Sequence, residues 1–316
     1  MGKKVTVIGA GNVGSSIAFL LAIKNVATEV VIIDINEEKA MGEAMDIRQG
    51  MPLCDTPVSI YAGSYADAKD SDVVIITSGV PRKPGQTRID LAQTNVNVIK
   101  SIAPSIVPYA PNAFYLLVSN PVDILTYVFQ KVSGIPEERI MGSGTLLDTA
   151  RLRARIAEYL NVSQKNIHAY VLGEHGDSSF IPWSVAQVST IPLSDYKELI
   201  HYKNQNFMEL DYDEVEKYMR TSGSKIISRK GATYYAIAIS VCEICESLFG
   251  SVDAVTTVST MMHGEYGMED VCLSIPTLVG PKGVAGKITP KLTAEEEAKL
   301  LNSANALKKV IAELDI

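Results

Sequence analysis

Val5-Thr6-Val7-Ile8-Gly9-Ala10-Gly11-Asn12-Val13-Gly14 stands near the start of the chain, and Asp34 follows Gly14 by twenty residues. The apolar, β-branched run Val5–Ile8 predicts a short buried strand. Gly9 suits a tight turn, Gly11 lets a pyrophosphate approach the backbone, and Gly14 lets the next helix pack close to the strand. Ser15–Ala22 is apolar and helix-compatible, and its N-terminal amides and dipole would face the phosphates. A second buried run, Val30–Ile33, ends at Asp34. A carboxylate there accepts hydrogen bonds from ribose hydroxyls and repels a 2′-phosphate, which favours NAD over NADP. Strand, glycines, helix, strand and acid in this order predict a dinucleotide site built from Gly9, Gly11, Asn12, Val13, Gly14 and Asp34.

The same rhythm continues outward. Val73–Thr77 and Phe114–Val118 read as further buried strands, with helices over Glu37–Gln49 and Asp90–Val107. Alternating βαβ units imply an α/β fold, a doubly wound parallel sheet of the Rossmann type. Composition changes near residue 145, so residues 1–145 are expected to form an NAD-binding domain. Residues 146–316 are expected to form an α+β substrate and catalytic domain. This half would begin with a helix over Leu147–Leu160. It would end with an amphipathic helix over Lys291–Leu314, with Leu300, Leu301, Ala304, Leu307 and Val310 on one side.

The 316 residues allow a sizeable core, and a net charge of −7 argues against a nucleic-acid partner. No apolar run reaches the length of a membrane span, and no signal segment is evident. Four cysteines make no disulfide framework in a chain this long. Cys242 and Cys245 share a helix face and read as small apolar packers, because no second ligand pair accompanies them. The expected compartment is a reducing cytoplasm, with no metal and no membrane partner.

Three clusters carry chemistry. Gly79–Arg88 follows the fourth strand, where the ligand crevice of an open α/β sheet lies, and its cations suit an anionic substrate. The alternative is a solvated basic loop. Asp148 and Arg151 are spaced to share a helix face, whereas Arg153 points about 200° away from Arg151. One arginine can therefore serve a site while the other serves a separate surface, although an ordinary exposed ion pair fits these residues too. In Gly173-Glu174-His175-Gly176-Asp177, a histidine between glycines, at the end of a strand expected over the apolar run Ala169–Leu172, has room to reach a substrate. Its unperturbed pKa suits proton transfer near neutrality. The chain has four histidines, so the choice of proton carrier is narrow.

Together with Ser119-Asn120-Pro121-Val122-Asp123 and Gly142-Ser143-Gly144-Thr145, these motifs make the chain resemble the lactate/malate dehydrogenase family over essentially its whole length. The resemblance implies NAD as cofactor and a small 2-oxo or 2-hydroxy acid as substrate. It implies that His175 donates a proton to the ketone oxygen, held and stabilised by Asp148. Arg151 would clamp the substrate carboxylate and Arg88 would descend with a lid to polarise the carbonyl. Asn120 would position substrate and nicotinamide.

The motifs divide over the acid. Arg82, six residues before Arg88, resembles malate enzymes, which place an arginine there for a second carboxylate. Gly173-Glu174-His175, Trp183-Ser184 and Gly231-Ala232-Thr233-Tyr234-Tyr235 resemble lactate enzymes, with Thr233 lining the pocket. Pyruvate is expected ahead of oxaloacetate, with malate dehydrogenase the alternative. A non-catalytic nucleotide-binding protein is a third reading, which the retained His175, Asp148, Arg151 and Arg88 oppose. Arg153 and His168 resemble positions in bacterial members regulated by fructose 1,6-bisphosphate. They imply a homotetramer with an allosteric anion site.

Overall fold

The inner strands of the first half are apolar runs buried on both faces, as a sheet covered by helices on two sides requires, whereas the edge run Ser59–Ala62 is only partly buried. In this computed structural model, which describes residues 2–80, 87–199 and 210–316, the first half runs β1 (Lys4–Ile8), α1 (Asn12–Ile23), β2 (Glu29–Ile33), α2 (Glu37–Gly50), β3 (Ser59–Ala62), β4 (Val73–Ile76), α3 (Arg88–Ile106), β5 (Phe114–Leu117), α4 (Val122–Ser133) and β6 (Ile140–Gly142). These six strands are parallel, in the order β3-β2-β1-β4-β5-β6. The order reverses between β1 and β4, and such a switch point opens a crevice at the strands' carboxyl ends.

The second half runs α5 (Leu146–Leu160), β7 (Ile167–His168), β8 (Gln187–Val188), β9 (Ile191–Pro192), α6 (Tyr196–Leu199), α7 (Tyr212–Lys230), α8 (Tyr235–Leu248), β10 (Ala254–Thr256), β11 (Ser259–His263), β12 (Glu269–Ser274), β13 (Thr277–Gly280), β14 (Gly283–Lys287) and α9 (Ala294–Ile311). β11 joins the open edge of β6 antiparallel, through Ser259 and Gly142, and β12 pairs with β11. The main sheet therefore crosses from one half of the chain into the other.

Alternation of period two sorts the core. Val5, Val7, Val30, Ile32, Val73 and Ile75 face α1, α2 and α8. Ile8, Val31, Ile33, Val74, Ile76 and Leu117 face α3, α4 and α9. A third cluster, with Leu152, Ile156, Ile167, Val188, Val215 and Met219, packs α5 and α7 against the small β7–β9 sheet. Cys242 and Cys245 are both buried on α8 within the first of these layers.

Two expectations need correction. The C-terminal helix is shorter than Lys291–Leu314, because Thr293 and Glu296 form a capping box that starts it at Ala294. Leu300, Ala304 and Leu307 are buried, but Leu301 sits about 100° round from Leu300 and is exposed. The run Ala169–Leu172 is not a regular strand: Leu172 makes an isolated bridge to Phe180, and Gly173 one to Ser274.

Candidate active site

The glycine turn is built on close contacts. Gly9 has φ +112°, a conformation that a side chain disfavours. A Cβ on Gly14 would stand 1.8 Å from the Gly9 carbonyl oxygen, so only glycine lets α1 start here. At Gly11 the reverse holds, since a Cβ there would meet nothing within 4 Å. That open space lies at the start of α1, which no side chain caps, and Asn12 and Val13 form its first turn. Asp34 stands at the end of β2, where Oδ2 accepts the Ala10 amide at 2.6 Å and Oδ1 the Asn36 amide at 2.8 Å. The carboxylate is thereby fixed beside the turn. An uncapped helix start with room before it, and an acid at its flank, fit a dinucleotide's pyrophosphate and ribose.

A cavity of about 400 Å³ continues from this turn. Val13 and Thr77 line it, as do Asn120 and Ser143, which follow the carboxyl ends of β5 and β6. Asp148 and Arg151 of α5, His175, and Thr233 before α8 line it too. The structure thus brings Val13, Asn120, Asp148, Arg151, His175 and Thr233 to one cavity.

His175 is held on both its side chain and its main chain. Nδ1 lies 2.5 Å from Asp148 Oδ2, which leaves Nε2 for the cavity. Asp148 Oδ1 accepts from Arg151 Nη1 at 3.0 Å, so one carboxylate bridges the two cations. Asp148 is 8% exposed, Arg151 15% and His175 28%, so the imidazole is the most open of the three. Three successive amides of the segment are anchored to three elements. Gly173 N–H donates to Ser274 O of β12 at 2.9 Å, Glu174 N–H to Ser303 Oγ of α9 at 2.8 Å, and His175 N–H to Asp123 Oδ2 of α4 at 2.7 Å.

Burial disfavours the charged form of both partners, yet their attraction and hydrogen bond prevail. The Asp148 carboxyl is held below its ordinary value, and the His175 imidazole is raised above its own. The pair therefore favours imidazolium beside carboxylate, a store for one transferable proton.

Arg82 lies outside the described residues. Arg88 is the first residue of α3, directly after the capping residue Thr87, and its side chain also lies outside them. Arg153 points away from the cavity: its Nε donates to Ala169 O at 3.0 Å and its guanidinium lies 5.1 Å over the Tyr170 ring. His168, one residue from Ala169, is exposed. Burial pushes the Cys242 thiol up to about 12 and raises Cys245 as well, as expected of packing residues.

The sequence reading missed one wall of the cavity. Met219, Arg220, Gly223 and Ile227 of α7 line it, as does Ile237 of α8. No motif marks α7; the only cue is its apolar spacing. A Cβ on Gly223 would stand 4.0 Å from Arg151 Nη2, an ordinary contact, so this point of α7 lies beside that guanidinium.

Residues 3–142 match the lactate/malate dehydrogenase NAD binding domain family, and residues 145–315 match the lactate/malate dehydrogenase alpha/beta C-terminal domain family. The chain is 43% identical over 315 residues to the L-lactate dehydrogenase of Thermoanaerobacterium saccharolyticum, covering 99% of this chain and 100% of that one. It is 44% identical over 314 residues to the L-lactate dehydrogenase of Acetivibrio thermocellus, covering 99% and 98%. Among solved structures, the minor L-lactate dehydrogenase of Enterococcus mundtii in a ligands-bound form is similar at a TM-score of 0.94 and 39% identity, covering 100% and 99%.

Proposed function

The chain belongs to the lactate/malate dehydrogenase family, and from that premise we propose that it is an L-lactate dehydrogenase, reversibly reducing pyruvate to (S)-lactate with NADH. The observation that carries the reading is the His175–Asp148–Arg151 group in a cavity continuous with the glycine turn. Full-length relatives named L-lactate dehydrogenase support the choice of acid.

Gly9 and Gly14 shape the turn at which Gly11, Asn12 and Val13 would hold the pyrophosphate of NAD, and Asp34 would accept hydrogen bonds from its ribose hydroxyls. Bound NADH supplies the hydride. Arg151 grips the pyruvate carboxylate through its planar fork, which fixes the ketone near His175 Nε2. As charge develops on the ketone oxygen, the imidazolium passes it a proton, and Asp148 keeps the ring in register. Asn120 positions the reacting groups, Thr233 bounds the methyl side, and Arg88, at the start of α3, would polarise the carbonyl. In the oxidative direction neutral His175 takes the hydroxyl proton back.

Assays of NADH consumption with pyruvate and then with oxaloacetate test the reading. Pyruvate is expected to be the better substrate by kcat/KM, and preference for oxaloacetate would make malate dehydrogenase the correct assignment. Arg82 is the specificity residue in this comparison. Arg82→Gln should depress oxaloacetate reduction far more than pyruvate reduction, because only oxaloacetate offers that cation a partner. Equal loss on both substrates would remove this role.

The proposal extends to a cytoplasmic homotetramer activated by fructose 1,6-bisphosphate. Among the described residues no helix is long and apolar enough to cross a membrane. Arg153 is anchored beside the exposed His168, on the far side of α5 from Arg151. Brought together between subunits, Arg153 and a protonated His168 would repel, and a bisphosphate that neutralises them would favour the assembled form. Pyruvate saturation with and without the sugar bisphosphate, beside light scattering for mass, checks both parts. An unchanged curve at low pyruvate would remove the regulation, and a stable dimer in both conditions would remove the tetramer.

A further inference from the structure

Asp123 received no role above beyond its bond to the His175 amide, yet its placement is unusual. It is the second residue of α4, is 2% exposed, and bonds the main chain of the proton donor where Asp148 bonds its ring. Oδ2 accepts the His175 N–H at 2.7 Å. Oδ1 makes no well-formed hydrogen bond among the described residues; the Ser259 hydroxyl of β11 stands near the carboxylate without closing one. Burying a carboxylate so weakly satisfied costs stability, so the position is not explained by packing.

We propose that Asp123 is a positioning residue for proton transfer: its carboxylate fixes the His175 main chain and places a second negative charge near the imidazole. The proposal rests on the reading of His175 as proton donor. Fixing the main chain matters because Asp148 constrains only the ring, and the donor's distance to the ketone depends on both ends of the residue. The charge matters because it favours the imidazolium alongside Asp148. The charged and titratable groups around Asp123 are His175 and Glu174 on the same segment and Cys272 on β12. Asp148 and Arg151 of α5 act through His175 with opposite signs.

Burial pushes the Asp123 carboxyl up to about 6, against the opposing pull of Ser259 and of the His175 amide and charge. An acid whose pKa is raised on folding is bound to its proton more tightly in the folded state. Its contribution to stability therefore falls as pH rises from the ordinary aspartate value to about 6, and stays lowered above that. At neutral pH the chain thus carries a destabilising charge beside its proton donor.

Asp123→Asn separates the two parts of the role, since the amide oxygen still accepts the His175 N–H while the charge is gone. The variant should have a higher Tm than wild type at pH 8, a difference that disappears under strongly acidic conditions. The alkaline limb of pyruvate reduction should move down by roughly half a pH unit, and NMR titration of the His175 imidazole should move with it. Asp123→Ala also removes the acceptor. Its kcat should fall about 30-fold or more at every pH, with NADH affinity and pyruvate KM close to wild type. A merely structural Asp123 would leave the His175 titration and the limb of Asp123→Asn where they are in wild type, and that result overturns the proposal even if Asp123→Ala does not fold. If the wild type turns over neither pyruvate nor oxaloacetate, the functional reading fails instead, while the NMR titration still decides whether Asp123 acts on His175.

Discussion

Replacing His175 by alanine should lower turnover by about 1,000-fold or more while NADH still binds. The imidazole is the group with a free ring nitrogen at the cavity and a raised affinity for a proton. The glycine turn and Asp34 are built without it, so cofactor affinity should be preserved. Asp148→Asn is the informative companion. It removes the charge that sustains the imidazolium, and its amide can face Nδ1 with a donor where an acceptor is needed. Because the His175 pKa is raised, pyruvate reduction should hold its rate somewhat above the usual histidine range and fall as pH climbs through the raised value. Lactate oxidation needs the neutral ring, so it should rise over the same interval. Asp148→Asn should shift both limbs toward acid and lower both rates. Pre-steady-state traces with NADH, pyruvate and each variant measure these effects directly, and sustained turnover in His175→Ala would remove the proton-donor assignment.

The second large effect is expected at Arg151. A lysine there keeps a charge but loses the planar fork that meets a carboxylate with two parallel bonds. Arg151 also donates to Asp148, so the substitution loosens the acid that orients His175. Disrupting a buried, hydrogen-bonded charge pair costs about 2–5 kcal/mol, which corresponds to a loss of kcat/KM of roughly 30-fold to several thousand-fold. Most of the loss should appear as a raised pyruvate KM, with NADH affinity measured by fluorescence titration left intact. A pyruvate KM within about twofold of wild type would mean that another cation carries the carboxylate.

These residues differ in how far the sequence announced them. Gly14 and Asp34 were legible because the contacts that fix them, to the Gly9 carbonyl and the Ala10 amide, lie within one βαβ unit, so spacing along the chain reports spacing in space. Asp148 and Arg151 were legible as a pair for the same reason, one helical turn apart. The meeting of Asp148 with His175 could be reached only through the family resemblance, since no local period links α5 to the segment after it. Asp123 was quoted within a motif without a role, because its partner is an amide 52 residues away. The α7 wall was missed because Met219 and Gly223 are ordinary helix residues whose exposure to the cavity depends on how α5 and α7 pack. Leu301 was misplaced by the opposite error: an apolar residue on an amphipathic helix was assigned to the core when the buried stripe is narrower.

The shared sheet has a consequence for how the polypeptide assembles as it is made. β6 emerges with one edge unpaired, and its neighbour β11 is synthesised more than a hundred residues later. Until then the nascent NAD-binding half presents backbone donors and acceptors with no mate, a template on which another chain could pair. Closing that edge is a long-range step with a large loop-closure cost, so it should come late and set the pace of maturation. His175 is tied to this late event: Gly173 hangs on Ser274 of β12, which itself waits for β11. Competence to bind the dinucleotide should thus precede competence to transfer the proton, and a ribosome-bound intermediate that holds NADH without turning over pyruvate is the species to look for.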